Sequence, residues 1–189
     1  MSNFVAVYDA CVLHGACLRD LLLHLAMTDL FRARWTEQIQ SEWKAALLRD
    51  RPNLDEKRLA RTQQMMNEAI PECLVTGYEG LIETLQLPDP NDRHVLAAAI
   101  KCSAGVVVTY NLKDFPNETL VLHGMEAQHP DEFIAHLLDL NRGAVCSAVR
   151  DHRASLQNPP RTVDQLFDTY LRAELVTTVE CLRDMRDLL

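Results

Sequence analysis

The stretch from Leu87 to Phe115 constrains the fold of this chain more than any other. It reads LPDPNDRHVLAAAIKCSAGVVVTYNLKDF. Asp89 can cap a helix that has Pro90 in its first turn, and the three alanines that follow are strong helix formers. The three valines after Gly105 favour a strand. A helix that leads into an entirely apolar strand is half of an α/β unit covered on both faces, so the sequence predicts an α/β fold.

The length and composition limit the class of protein. A chain of 189 residues is one domain, or one domain with an appendage. No apolar run is long enough to span a membrane, and the first residues lack the basic and apolar regions of a secretion signal. Six cysteines occur without a CxxC pair, which is typical of reduced thiols, and the histidines lack zinc-ligand spacing. We therefore expect a cytoplasmic protein with no membrane contact.

The strand pattern continues on both sides of the central stretch. The apolar run at residues 4–8 predicts a buried first strand, and residues 31–35 predict a second. Residues 74–75 and 120–122 are further candidates for short strands. These segments, together with the three valines, give the expected strands of the sheet.

Helical patterns account for most of the remaining chain. Thr36 caps a helix that runs to about Arg49, and a second, more polar helix follows it, so residues 36–70 form a helical hairpin. A further helix opens at His129-Pro130. We divide the chain into a domain over residues 1–140 and a helical extension over residues 141–189. In the extension we expect a helix over residues 141–157 and a single last helix capped by Thr162.

The distribution of charge is uneven. The net charge of −8 argues against a general nucleic-acid coat protein. However, residues 31–61 hold eight Lys or Arg and only five acids, a net charge of +3. This span is either two solvated helix faces or a basic wall that holds a phosphate backbone.

Four acids recur at positions where an α/β fold binds ligands. Asp9 ends the first strand, and ligands bind beyond the carboxyl ends of such strands. Asp92 shares a helix face with apolar residues, where an acid needs a partner. Glu42 lies at the edge of the apolar face of its helix, and Asp114 follows the valine strand. Each acid alone is explained by an ordinary turn, cap or loop. Together they suggest a Mg²⁺ or Mn²⁺ site, because converging carboxylates do not all stay ionised without cations.

These segments resemble the PIN-domain ribonucleases of the VapC toxins from toxin–antitoxin pairs. The resemblance rests on VAVYDACVL, the helix with Glu42, the central motif, and HPDEFIAHLL, and covers roughly residues 4–140. It implies a three-layer α/β/α fold with a parallel, mostly five-stranded sheet, to which C-terminal helices are added. It also implies a divalent-metal endoribonuclease that cleaves RNA phosphodiesters by metal-activated water, a cognate antitoxin and a homodimer.

The resemblance also implies the residues of the site. Its catalytic acids and metal ligands are Asp9, Glu42, Asp92 and Asp114. Thr109 and Asn111 match the polar residues that support them. Charge and sequence position alone add four candidates for RNA contact, which are Arg32, Arg34, Lys44 and Arg93.

The chain departs from the family pattern at three places. Position 91 is Asn where similar sequences often have a second acid, and position 11 is Cys where small polar residues are common. The extension after Asn141 resembles that of a larger VapC-like subgroup. Two other readings remain open: an inactive PIN-like scaffold or interaction protein, and an aspartate-nucleophile phosphatase. The phosphatase needs a second Asp two positions after Asp9, where this chain has Cys11.

Overall fold

The computed structural model describes residues 4–189, and residues 1–3 lie outside the described residues. Within this range, four parallel strands form one sheet in the order β2-β1-β3-β4. The strands are β1 (Phe4–Tyr8), β2 (Phe31–Arg34), β3 (Val106–Val108) and β4 (Glu126–Gln128). The described helices are α1 (Ala10–His14), α2 (Ala16–Ala26), α3 (Glu37–Asp50), α4 (Glu56–Ala69), α5 (Glu79–Ile82), α6 (Arg93–Lys101), α7 (Asn117–Leu120), α8 (Pro130–Ser155), α9 (Val163–Arg172) and α10 (Val176–Arg183).

The α/β class and the parallel sheet are confirmed, but the sheet over residues 4–189 has four strands rather than the expected five. Two strand predictions are wrong. Residues 74–75 contribute one isolated bridge, between Leu74 and Trp35, rather than a strand. Leu120 ends α7, and the residues after it form a 3-10 turn that Gly124 closes with a left-handed φ of 68°. The fourth strand comes later, at Glu126–Gln128. The apolar pattern of the sequence did not predict this strand, because the strand lies at the edge of the sheet and Glu126 is exposed.

Aromatic side chains fill the space between one face of the sheet and the C-terminal half of the chain. Phe31 of β2 lies 5.0 Å from Phe133 of α8, ring centre to ring centre, and Tyr8 of β1 stacks on Trp35. The Tyr8 hydroxyl also donates to the Leu22 carbonyl of α2 at 3.1 Å. Helix α6 packs against β1 and β3. Its three alanines are fully buried, which allows the helix to approach the sheet closely.

The C-terminal helices differ from the prediction in one respect. Helix α8 bends at Asn141, whose φ of −159° is not helical and whose side chain accepts from Ala144 N. Thr162 caps α9 through a reciprocal capping box with Gln165, as its position predicts. The predicted single last helix is wrong, because the chain leaves helical geometry at Glu174 (φ 61°) and restarts as α10. Among the described residues, no helix is long and apolar enough to cross a membrane.

The topology brings the carboxyl ends of the two central strands together. Asp9 follows β1, and its backbone N–H donates to the carbonyl of Val108, the last residue of β3, at 3.1 Å. The residues that follow β3 are Thr109, Tyr110 and Asn111. The two chain segments that carry the predicted site residues therefore leave the sheet side by side, as the rule for parallel sheets requires.

Candidate active site

An open cleft of about 550 Å³ lies at this edge of the sheet. Three of the four predicted acids line it, and each comes from a different part of the chain. The lining residues are Asp9, Ala10, Cys11, His14, Glu42, Trp43, Ala45, Ala46, Arg49, Asp50, Asp92 and Asn111.

Asp9 is the most firmly held of the acids. Its carboxylate is almost fully buried and accepts from Ala10 N at 2.6 Å, from the Cys11 thiol at 3.1 Å and from the Thr109 hydroxyl at 2.7 Å. All three donors are neutral. A buried carboxylate is stabilised by such hydrogen bonds, but its charge remains uncompensated.

Cys11 and Thr109 join the ends of β1 and β3 into one network. Tyr110 N donates to Cys11 Sγ at 3.3 Å, and Asn111 N donates to Thr109 Oγ1 at 2.9 Å. Burial, with the charge of Asp9 beside it, raises the pKa of the Cys11 thiol to about 12. The thiol therefore stays protonated at neutral pH and acts as a hydrogen-bond donor to Asp9.

Glu42 reaches the cleft from α3 and is bound to a histidine. His94 Nε2 lies 2.8 Å from Glu42 Oε1, and Gln38 Nε2 donates to the same oxygen at 3.2 Å. His94 is 3% exposed, whereas Glu42 is 40% exposed. The second ring nitrogen of His94, Nδ1, is buried with no hydrogen-bond partner among the described residues.

Asp92 is partly buried and lies near other acids. It lies in a 3-10 turn (Pro90–Asp92) just before α6, and the Asp89 side chain caps that turn by accepting from Asn91 N. Burial, together with the nearby charges of Asp9, Asp89 and Asp114, raises the pKa of Asp92 to about 6, and His94 acts in the opposite direction. Like charges this close disfavour ionisation unless a cation joins them.

Asp114 is the one predicted acid that does not line the cleft. It ends a short 3-10 turn (Leu112–Asp114) and is absent from the cleft wall, although its charge contributes to the raised pKa of Asp92. Over residues 4–189, no group of three or more His, Cys, Asp or Glu side chains stands in a ready-made metal-binding arrangement. In this arrangement Glu42 Oε1 faces His94, and Asp9 Oδ2 accepts from Thr109.

The donor set nevertheless fits a hard divalent cation. Carboxylate oxygens are the ligands that Mg²⁺ and Mn²⁺ prefer. The pKa of Asp92 is raised because this carboxyl group is partly buried and lies near other acids. A bound cation would offset both effects, so the residues present suit such an ion.

None of the four predicted RNA contacts is among the residues that line the cleft. Arg32 and Arg34 line a separate depression, where Arg34 is 3.6 Å from Glu72, and Lys44 donates to Gln63 of α4. Arg93 is half-buried, with its Nε enclosed and unpartnered among the described residues. The assignment of these four side chains to RNA therefore stays a prediction.

Sequence reasoning missed two residues that the cleft includes or adjoins. Arg49 is the single Lys or Arg among residues 4–189 that lines the cleft. It stands seven positions after Glu42 on α3, a spacing that places both on one helix face, so the sequence held the signal. His94 was missed because its role depends on the packing of α6 against α3, which no local pattern reveals.

Comparisons with known proteins identify the family that this chain resembles. A PIN domain family model matches residues 5–113, and a model described as VapC50 C-terminal domain matches residues 130–184. A protein of Mycobacterium tuberculosis strain H37Rv, named "Putative ribonuclease VapC50", is 36% identical over 115 residues, which span 59% of this chain and 68% of the relative. No solved structure matches the chain significantly.

Proposed function

We propose that this chain, which belongs to the PIN-domain family and is VapC-like with a C-terminal extension, is a divalent-metal-dependent endoribonuclease and the toxin of a toxin–antitoxin pair. One observation carries the proposal: Asp9, Glu42 and Asp92 come from separate parts of the chain and line one cleft, and the charge of Asp114 acts on Asp92. The ribonuclease name of the M. tuberculosis relative supports RNA as the substrate.

The four acids are the proposed catalytic residues and would hold Mg²⁺ or Mn²⁺. A bound cation of this kind activates water and offsets the charge that builds up on a phosphodiester. Neighbouring side chains hold the acids in place for this chemistry. Thr109 and Cys11 fix the carboxylate of Asp9, Asn111 lines the cleft beside them, and His94 orients Glu42.

Substrate binding would use the open shape of the cleft and the guanidinium group of Arg49, which lines it. Arg49 is exposed on the last turn of α3, with Ala45 and Ala46 between it and Glu42 on the cleft wall. These small side chains leave room for an RNA backbone. A guanidinium in this place would bind a phosphate next to the one that is cleaved.

The partners form part of the same proposal. A cognate antitoxin would neutralise the cleft by inserting a Lys or Arg side chain among the carboxylates. A homodimer and a cytoplasmic location complete the expected picture. Asn141, where α8 bends, supports a boundary between a nuclease domain at residues 1–140 and the extension, although the matched C-terminal model begins at residue 130.

RNA cleavage tests the proposal directly. We expect wild-type protein to cut single-stranded RNA in Mg²⁺ or Mn²⁺ and to stop in EDTA. Asp9→Asn should cut at least roughly a hundredfold more slowly, because a charged ligand is lost. Asp50→Asn is the matched control, since Asp50 also lines the cleft but pairs with His14 at 3.0 Å.

Two results would count against this account. Equal cleavage by wild type and Asp9→Asn would remove Asp9 from the site. Absence of cleavage by the wild type, together with harmless expression in cells, would favour the inactive scaffold.

A further inference from the structure

The turn between α9 and α10 reaches the edge of the candidate active site. The Tyr110 hydroxyl donates to the carbonyl of Ala173, in that turn, at 2.9 Å. The Tyr110 ring lies edge-on to His129, with ring centres 5.0 Å apart, and His129 Nε2 is 3.8 Å from the Glu174 carboxylate. The C-terminal helices therefore touch the segment that follows β3.

The backbone of the same tyrosine belongs to the network that holds Asp9. Tyr110 N donates to Cys11 Sγ, and Cys11 in turn donates to Asp9. Its neighbour Thr109 donates to Asp9 Oδ2 at 2.7 Å, and its other neighbour, Asn111, lines the cleft. The Tyr110 side chain thus contacts the extension, while its main chain contacts the acidic site.

The turn that receives the hydroxyl is firmly fixed. Both oxygens of the Asp131 carboxylate accept from the start of α10, from Thr177 N and Thr178 N, each at 2.8 Å. The backbone N–H of Leu175 donates to the Tyr170 carbonyl of α9 at 3.0 Å. The Ala173 carbonyl is therefore a well-anchored acceptor, and a bond to it restricts where Tyr110 can lie.

We propose that Tyr110 is a positioning residue through which the C-terminal helices hold the Asp9 network in its binding-competent arrangement. The proposal rests on the proposed function, because it concerns the same acidic cleft. It gives the extension a role in the site. Without the bond to Ala173, the segment over residues 109–111 would move more freely, and the donors to Asp9 would be less well aligned.

A pair of tyrosine variants separates this role from a general contribution to folding. Tyr110→Phe removes the hydroxyl and keeps the ring against His129. Tyr170→Phe is the matched control, because its hydroxyl bonds His152 Nδ1 at 2.8 Å entirely within the extension. Tyr170 is fully buried, whereas Tyr110 is half-buried. Removal of the Tyr170 hydroxyl should therefore lower the melting temperature at least as much as removal of the Tyr110 hydroxyl.

The first measurement is amide hydrogen exchange of the metal-free protein. We expect exchange over residues 109–111 to be roughly three- to tenfold faster in Tyr110→Phe, the range for the loss of one hydrogen bond. Tyr170→Phe should leave this segment as in the wild type. The second measurement is Mn²⁺ affinity, which should fall by a similar factor in Tyr110→Phe alone. The third is RNA cleavage at saturating RNA, where kcat should fall with KM unchanged.

The outcomes distinguish the two proposals. If wild type binds Mn²⁺ and Asp9→Asn does not, but Tyr110→Phe matches wild type in exchange and affinity, the positioning role is wrong and the proposed function stands. If both tyrosine variants change exchange over residues 109–111 equally, the effect is structural and the positioning role is again wrong. If wild type neither binds Mn²⁺ nor cleaves RNA, the proposed function fails, and the positioning role of Tyr110 fails with it.

Discussion

Among residues 4–189, no acid that lines the cleft forms an ion pair with Arg or Lys. Asp9 is bound by Thr109 and Cys11, and Glu42 by His94 and Gln38. A structural carboxylate as buried as that of Asp9 is usually paired with a fixed positive charge. At the residue scale, the arrangement leaves negative charge available to a cation that comes from solution.

Arg49 gives the sharpest prediction about single residues. Arg49→Gln should lower kcat/KM for single-stranded RNA by about three- to tenfold, because one exposed charge-assisted contact to phosphate is lost. The slope of log affinity against log salt should also decrease by about 0.7. Both quantities can be measured by cleavage and binding titrations between 50 and 200 mM salt, a range of about fourfold in concentration.

Lys44→Gln provides the control for Arg49. Lys44 lies on the same helix, but its ammonium group donates to Gln63 rather than entering the cleft. We expect the affinity and the salt slope of Lys44→Gln to match the wild type, in contrast to the assignment of Lys44 to RNA contact from charge and sequence position. An equal loss of RNA affinity in both variants would mean that RNA binds along the basic span at residues 31–61 rather than at Arg49.

Part of the site could be predicted from the sequence for a clear physical reason. Asp9 follows a strand and Asp92 precedes a helix, so local patterns alone locate them at one edge of the sheet. The bond between His94 and Glu42 could not be predicted, because it depends on how two helices that are distant in sequence pack together. The contact between Tyr110 and Ala173 spans 63 positions and was hidden for the same reason.

At the scale of elements, the sequence predicted buried strands better than edge strands. The valines of β3 form a strand because both faces are covered, and the pattern reports that burial. β4 reads EAQ and is held mainly by backbone bonds to β3, so its side chains carry little signal. The break between α9 and α10 was missed because a non-glycine residue, Glu174, adopts the left-handed conformation there.

The packing of α8 on α2 makes a second prediction, about pH. His152 of α8 is fully buried, bonds Tyr170 and lies 5.6 Å, ring centre to ring centre, from His24 of α2. Burial, with a further contribution from the charge of His24, lowers the pKa of His152 to about 4. The groups that face this pair are Asp20, Asp151 and the Tyr170 hydroxyl. Burial lowers the pKa of His24, and the two carboxylates only partly offset this effect.

The sign of the effect follows from proton binding. Between pH 6.5 and about 4 the unfolded chain binds a proton at this histidine and the folded chain does not, so stability should fall as the pH falls through this window. At pH 5 the loss should be about 2 kcal/mol relative to pH 7.5. Urea unfolding across this range measures it, and His152→Gln should flatten the dependence. An unchanged slope in that variant would assign the effect to other groups.

At the scale of the whole molecule, the extension is part of the architecture of the site. Helix α8 runs from the sheet into the C-terminal helices, Asp131 near its start caps α10, and the turn before α10 receives Tyr110. The nuclease fold and the extension thus share contacts at the cleft edge. The net charge of −8 also fits a protein that concentrates negative charge in a cation site rather than one that coats nucleic acid.

The most direct test of the central claim is a Mn²⁺ titration by calorimetry on wild type, Asp92→Asn and Asp50→Asn. The account predicts that Asp92→Asn binds at least roughly tenfold more weakly and that Asp50→Asn binds as wild type does. Wild-type affinity should also fall as the pH drops through about 6, where protons compete for Asp92. Equal affinity in all three proteins, or an equal loss in both variants, would contradict a metal site built from the acids of this cleft.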